Sequence, residues 1–279
     1  MAIKVLEVGG EVLSEDNGCH NQDFLMINQP MFAFANTEDY LRLTKILVRD
    51  HDVPTCFFAP LRAGDLTLPE QQRVAILAYM RAEGITDAAI KRMKESLAII
   101  ETKIKLMPVA NPLGVQYFSA APFLFGPARV MKFSAKPCVV VPTTEIPVPP
   151  GYDYLRHVLT QTMQRHDNLQ FDFMVQVRPG DADPSVREEM GIENASSLWD
   201  EATHPFMPIA KISIHLPQPE VDTDAHRERC EKLVFTPWHC LAAHQPIGSI
   251  NRLRKAVYEA SSQRRLGCPV GRDAATPPA

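Results

Sequence analysis

Apolar residues alternate with polar ones, or gather in short runs, along much of the chain, and in a few segments they recur at helical spacing. Alternation and short apolar runs are typical of strands, whereas a period of about 3.6 residues is typical of helices. Strand patterns cover 1–8, 22–28, 31–35, 115–120, 129–135, 138–141, 171–177 and 210–215. Helix patterns cover 40–49, two segments within 68–104, and 152–166, 222–233 and 249–265. This mixture predicts an α+β fold, with an antiparallel sheet or barrel and helices packed outside it.

Polar residues at the ends of these segments mark where two helices begin. Asn36 and Thr37 precede the first helix in a capping pattern, and Thr86 precedes the second helix of the 68–104 pair. Side-chain oxygens at such positions accept hydrogen bonds from the free N–H groups of a first helical turn. A further turn is predicted at 15–18, where the sequence is Glu-Asp-Asn-Gly.

The composition is that of an ordinary soluble globular protein. A chain of 279 residues, 45% hydrophobic and 22% charged, suits one large domain, which we place at 1–267. Proline, alanine and glycine dominate 268–279, which predicts a disordered tail. A net charge of −4 gives no reason to expect a nucleic-acid partner. No apolar run approaches the roughly 18 residues of a membrane span, and no secretory signal is visible, so we expect a cytoplasmic protein.

The basic helix predicted at 249–265 carries the main candidate chemistry. Tyr258 lies four residues after Arg254 and seven before Arg265, so a helix places the three side chains on one face. A free phenol has a pKa near 10, and a guanidinium one turn away favours the charged phenolate, which is the form that binds a metal. A second arginine suits a carboxylate such as a haem propionate. The alternative is an amphipathic helix with a basic exposed face and Tyr258 at its edge.

Four motifs around this helix occur in a fixed order. Trp199 precedes a Pro-x-x-Pro-Ile-Ala-Lys segment at 205–211, a Phe-x-Pro segment follows at 235–237, and Arg-x-x-x-Tyr is followed by Arg-Leu-Gly at 265–267. In this order and spacing the C-terminal third resembles the haem-dependent catalase family, as do Ala2–Val5 and 23–32 near the start. The resemblance implies a catalase-type antiparallel β-barrel, incomplete in this chain, with surrounding helices. It also implies a haem oxidoreductase acting on hydrogen peroxide or an organic hydroperoxide.

The same resemblance assigns roles to individual residues. Tyr258 corresponds to the axial ligand of ferric haem b, Arg254 to the arginine that keeps it a phenolate, and Arg265 to a propionate-binding arginine. Tyr40 corresponds to a phenylalanine that stacks on the haem, and Phe32 to another aromatic residue of the pocket. For both aromatic residues, ordinary core packing is the alternative.

The opposite, distal face of the expected pocket is incomplete in this sequence. Asn28 is the candidate for an asparagine that hydrogen-bonds bound peroxide; the alternative register places that position on Ile27, and the asparagine is then lost. Met1 aligns inside a family strand motif, so we expect the segment with the distal histidine and the first two barrel strands to be missing. A truncated, catalytically silent haem-binding or structural relic is therefore the alternative function. Completion of an open barrel by another chain is a third possibility.

Two further expectations concern cofactors and assembly. Some catalases bind NADPH near the tryptophan that corresponds to Trp199, where basic and histidine residues follow it. Here Asp200 and Glu201 follow, and acidic side chains oppose a phosphate, so NADPH is not expected. A short polar middle section indicates the small, catalase-related branch of the family. The resemblance also implies a homo-oligomer.

Overall fold

The computed structural model describes residues 1–13, 20–50, 54–104, 108–139, 141, 146, 150–164, 168–181 and 183–267. The predicted turn at 15–18 and the predicted tail at 268–279 lie outside the described residues. Within the part that is described, no helix is long and apolar enough to cross a membrane. The assignment of 1–267 to one domain stays a prediction.

The described strands form two antiparallel ladders. Strands β1 and β2 pair with each other, and β3, β5, β6 and β7 follow one another in a five-stranded sheet in which β4 also pairs with β5. An isolated bridge between Ile27 and Phe118 links the chain after β2 to β3. The strands are β1 Ala2–Val5, β2 Gln22–Leu25, β3 Tyr117–Phe118, β4 Phe123–Leu124, β5 Arg129–Pro137, β6 Leu169–Pro179 and β7 Phe206–Ile214.

The antiparallel arrangement of strands and the mixed α+β class are as predicted. Among the described strands, the two-stranded ladder pairs β1 with β2 alone, and the five-stranded sheet ends at β3 on one side and at β7 on the other, so both sheets are open. A closed barrel is not found among the described strands. Such unpaired edges present free N–H and C=O groups.

The helices agree with the sequence pattern in place and number of turns. Asn36 Oδ1 accepts from the amide of Asp39 at 3.0 Å, and Thr86 Oγ1 accepts from the amide of Ala89 at 3.2 Å, so both predicted caps form. The α-helices are α1 Thr37–Asp50, α2 Glu70–Ala82, α3 Asp87–Ile99, α4 Tyr154–Met163, α5 Pro184–Glu189, α6 Asp224–Glu231 and α7 Ser249–Arg265. Shorter helical segments are Pro54–Arg62, Ile100–Ile104, Pro112–Gly114, Pro219–Asp222 and Ala242–His244.

The predicted strand at 31–35 is wrong, because this segment bends and joins neither ladder. Its backbone instead bonds to a remote loop: Phe32 donates to the carbonyl of Ala195 at 2.9 Å, and Ala195 donates to that of Ala35 at 3.1 Å. The Phe34 side chain packs under the helices, edge-on to Phe57. The apolar run therefore connects the sheet to the helical layer.

Of the predicted strand at 138–141, residues 138, 139 and 141 do not lie in a strand, and residue 140 lies outside the described residues. Strand β5 ends at Pro137, which has no N–H to extend the ladder, and only the amide of Cys138 adds one more bond, to Gln170. The helical segments α5 and Pro54–Arg62 are the longest of those that carry no sequence prediction. Both begin at a proline, and α5 is too short for its apolar spacing to stand out.

Buried apolar side chains gather in clusters that fix the layers to each other. One lies on β5 and β6 and includes Phe133, Phe171 and Phe173, and a second lies between α1, α3 and the Pro54–Arg62 segment. Each fully buried side chain of this size contributes about 1.5–3 kcal/mol to stability. A third cluster, around Trp199, packs the loop before β7 against the sheet.

Candidate functional site

Helix α7 is held at its first turns by polar bonds to the rest of the molecule. Asn251 is fully buried and donates to the carbonyls of Pro122 at 2.8 Å and Ile247 at 3.0 Å, while the Trp238 indole donates to the Asn251 carbonyl at 2.9 Å. Thr37 at the start of α1 donates its hydroxyl to the Ser249 carbonyl at 2.8 Å. Helices α1 and α7 therefore begin side by side, and these bonds fix the position of the first turns of α7.

Arg254 lies between the anchor and Tyr258. Its guanidinium donates to Asn251 Oδ1 at 3.1 Å and to the Tyr258 hydroxyl at 3.5 Å, and it lies 5.4 Å from the centre of the tyrosine ring. Only 9% of Arg254 is exposed, whereas Tyr258 is half-buried. Helical spacing thus produces the predicted contact of cation and phenol.

No carboxylate within the described residues forms an ion pair with Arg254. A cation taken out of water without a counter-charge is costly unless an anion reaches it. The hydroxyl of Tyr258 is the side-chain oxygen on the next turn that this guanidinium contacts.

Aromatic rings line the other side of Arg254. The guanidinium lies 5.9 Å from the centre of Phe32, which meets Tyr40 nearly edge-on at 6.4 Å. Tyr40 packs in turn on Phe34 at 5.0 Å. Burial raises the pKa of Tyr40 to about 12, against the opposing charge of Arg254, so this phenol stays neutral. The structure therefore brings together four of the predicted residues: Phe32, Tyr40, Arg254 and Tyr258.

Arg265 has a different partner. Its guanidinium donates to the carbonyls of Glu231 at 2.7 Å and Leu233 at 3.1 Å, where it closes the end of α6. Cations are favoured at such helix ends, because the last carbonyls are otherwise unpaired. Its predicted bond to a propionate stays a prediction.

Asn28 lies on the wall of a cavity of about 440 Å³, and Ile27 does not. The backbone of Ile27 is bonded in both directions to Phe118, at 2.8 and 2.7 Å, and its side chain is 38% exposed. The Asn28 side chain is half-buried, and Asn28 lines the same cavity as Gly114, Val115 and Leu198. Its predicted role toward peroxide stays a prediction.

Two residues of this region carry no sequence prediction. Asn251 orients Arg254, and a poor helix former three residues before a key arginine is the signal that points to it. Lys103 lines the Asn28 cavity from a segment 75 residues away in sequence, and no local pattern indicates it. Within the described part of the chain, three or more His, Cys, Asp or Glu side chains do not gather at any point to hold a metal ion.

Comparison with solved structures returns catalases. The structure is similar to catalase A from Saccharomyces cerevisiae (TM-score 0.54, 13% identity, 88% of this chain and 46% of that one). It is similar to a fungal catalase (0.55, 14%, 91% and 46%). It is similar to a bacterial catalase (0.51, 12%, 88% and 44%). The fold is therefore catalase-like, and the chain spans less than half the length of these proteins. No protein-family model and no curated protein sequence matches the chain.

Proposed function

We propose that this protein is a haem-binding, catalase-like oxidoreductase that acts on hydrogen peroxide or an organic hydroperoxide. One observation carries the proposal: a buried guanidinium, without a carboxylate partner in the described residues, lies 3.5 Å from the hydroxyl of Tyr258. The catalase-like fold supports it, and the sequence resemblance separately assigns Tyr258 to the position of the axial ligand.

Each residue of the cluster would have a distinct task in this function. Arg254 would hold Tyr258 as the phenolate that binds ferric iron, and Asn251 would hold Arg254 in place. Phe32 and Tyr40 would pack against the flat ring of the cofactor and keep water away from it. The haem, when bound, supplies the redox-active iron at which a peroxide O–O bond breaks.

The distal side limits the expected rate. Asn28 can orient a peroxide through its amide, but an amide does not exchange a proton at neutral pH. No histidine, aspartate or glutamate lines the cavity among its described residues. A positioned proton shuttle contributes roughly 10²–10⁴-fold to a rate. We therefore expect slow peroxidase or catalase turnover from this chain.

The second candidate is a catalytically silent haem-binding or structural relic of a catalase. It is favoured by the missing proton shuttle and by Arg265, which is bonded to α6. The open edges of β1 and β7 favour association with further strands, so completion by another copy or another chain remains a proposal. We also propose that the protein is cytoplasmic, that it forms a homo-oligomer and that it belongs to the small catalase-related branch.

Haem loading and oxygen evolution test these two candidates. We expect the purified chain to take up one ferric haem and to evolve oxygen from hydrogen peroxide slowly per haem. Asn28→Ala should lower that rate only a few-fold, because no proton transfer is lost, and Asn194→Ala, in an exposed turn, should leave it unchanged. A haem-loaded chain without any peroxide chemistry favours the relic, and no haem uptake contradicts both candidates.

A further inference from the structure

The cavity beside Asn28 has the size and lining of a small-molecule site. Its volume of about 440 Å³ lies within the roughly 300–1,000 Å³ that such sites commonly have. Most of its wall is apolar and comes from four separate segments of the chain. These apolar residues are Pro30, Met31, Pro108, Val109, Val115, Phe118 and Leu198.

Four polar side chains also line the cavity, and two of them are already engaged. Gln116 donates its amide to Ser134 Oγ at 2.8 Å, and Gln29 donates its amide to the carbonyl of Lys103 at 3.3 Å. The side chains of the other two, Asn28 and Lys103, form no hydrogen bond or ion pair with any described residue. An amide and an ammonium are thus available to a ligand.

The described wall of the cavity carries a positive charge and no negative charge. Lys103 is the cation among the described lining residues, and these include no carboxylate to neutralise it. The bond from Gln29 to the Lys103 backbone holds the lysine next to the Asn28 segment, so both polar groups lie near one part of the cavity. A ligand that satisfies this wall is apolar along its body and carries one anionic group.

We propose that the cavity binds an amphipathic carboxylate of medium chain length. Its carboxylate pairs with Lys103, its chain packs on Val115 and Phe118, and an oxygen carried by the chain accepts from or donates to the Asn28 amide. Binding itself does not require haem.

Binding of decanoate and decan-1-ol to the haem-free protein tests the head group. By titration calorimetry we expect decanoate to bind roughly two- to fivefold more tightly than the alcohol, the range of a partly exposed ion pair. Lys103→Gln should abolish this preference. Lys94→Gln is the matched control, since Lys94 is an exposed lysine on the preceding helix and does not line the cavity. Equal affinity of the parent protein for acid and alcohol overturns the proposal.

A cavity-filling variant tests the position of the chain. Val115→Trp should weaken both ligands at least tenfold, because the indole occupies the space of the apolar body. Val74→Trp, on an exposed face of α2, should change neither affinity, and circular dichroism verifies that both variants fold. Unchanged binding in folded Val115→Trp shows that the ligands bind elsewhere, and the proposal fails.

Haem titration separates this proposal from the proposed function. Decanoate binding by a protein that never takes up haem supports the carboxylate site and refutes the haem enzyme. In haem-loaded protein, decanoate affinity should stay within twofold of its haem-free value. Displacement of decanoate by haem shows that the cavity belongs to the cofactor, and it overturns the carboxylate assignment.

Discussion

The two regions that carry the candidate chemistry, helix α7 and the cavity beside Asn28, are built differently. On α7, a continuous chain of side-chain hydrogen bonds runs from Asn251 through Arg254 to Tyr258, and we call it the α7 ladder. It fixes a charged group and a phenol within one helix. Around Asn28, the wall is assembled from loops, a short strand and short helical segments, and its two available polar groups, Asn28 and Lys103, are not bonded to each other. The polar groups on α7 are preorganised before any ligand binds. The cavity beside Asn28 offers a mostly apolar space with few polar groups.

This difference indicates which step each side supports. In the proposed function, a preorganised cation beside a phenol would stabilise the phenolate form of the ligand without reorganisation at the moment of binding. A mostly apolar cavity with one amide and one cation discriminates between ligands, but it does not move protons. We therefore expect binding to be robust to changes at Asn28, and to fail when the ladder on α7 is broken.

The largest effect should come from the anchor of the ladder. Asn251→Leu removes bonds to Pro122 and Ile247 and leaves Arg254 buried with one partner fewer. We expect a loss of about 3 kcal/mol in the free energy of unfolding, since buried polar groups lose their partners. Urea unfolding measures this, with the exposed-turn variant Asn194→Ala as the control. A loss below about 1 kcal/mol would show that α7 is held mainly by packing.

Arg254 should affect cofactor binding more than folding. Arg254→Met keeps the buried stem and removes the charge that has no carboxylate partner in the described residues, so we expect the free energy of unfolding to change by less than about 1.5 kcal/mol. Haem affinity should fall at least tenfold, and phenolate ligation should need a higher pH. Equal losses in both measurements would mean that Arg254 is structural.

Lys132 tests the side of the molecule that carries the cavity wall. Its ammonium donates to the carbonyl of Ser197, next to Leu198 of the cavity, and lies 5.0 Å from the centre of the Trp199 ring. Burial, with the charge of Arg178, lowers the pKa of Lys132 from 10.5 to about 7. Because the folded state binds this proton less tightly than the unfolded state, the lysine costs stability below pH 7. That cost disappears as pH rises from 7 toward 10.5.

We expect the difference in the free energy of unfolding between Lys132→Met and the parent protein to change with pH. Lys132→Met should gain stability relative to the parent protein at pH 6, and the difference should shrink by up to about 1.4 kcal/mol per pH unit above pH 7. Lys136→Met, an exposed lysine on the same strand, provides the control. A difference that stays constant from pH 6 to 9 would contradict the lowered pKa.

The α7 ladder is visible in the sequence because it is local. Spacings of three, four and seven residues are converted by helix geometry directly into contacts, so Arg254 meets Tyr258 as predicted. Arg265 shows the limit of this reasoning: its face is predictable, but its partner, the end of α6, is set by tertiary packing. Helix caps at Asn36 and Thr86 are local in the same sense.

The cavity is not visible in the sequence, since its wall joins segments that are far apart. Lys103 meets Gln29 across 74 positions, and no periodicity encodes that contact. The bent segment at 31–35 fails as a strand for the same reason, because its backbone partners lie in the loop at Ala195. Short apolar runs do not distinguish a strand from a buried connection.

The absorption spectrum of the haem-loaded protein tests the central claim, that Tyr258 is the ligand of a bound ferric haem. We expect the parent protein to show a high-spin, phenolate-type ferric spectrum, and we expect Tyr258→Phe to lose it. Tyr152→Phe, at a fully exposed tyrosine, should keep the parent spectrum. A Tyr258→Phe variant with the same spectrum and the same haem content as the parent would contradict the assignment.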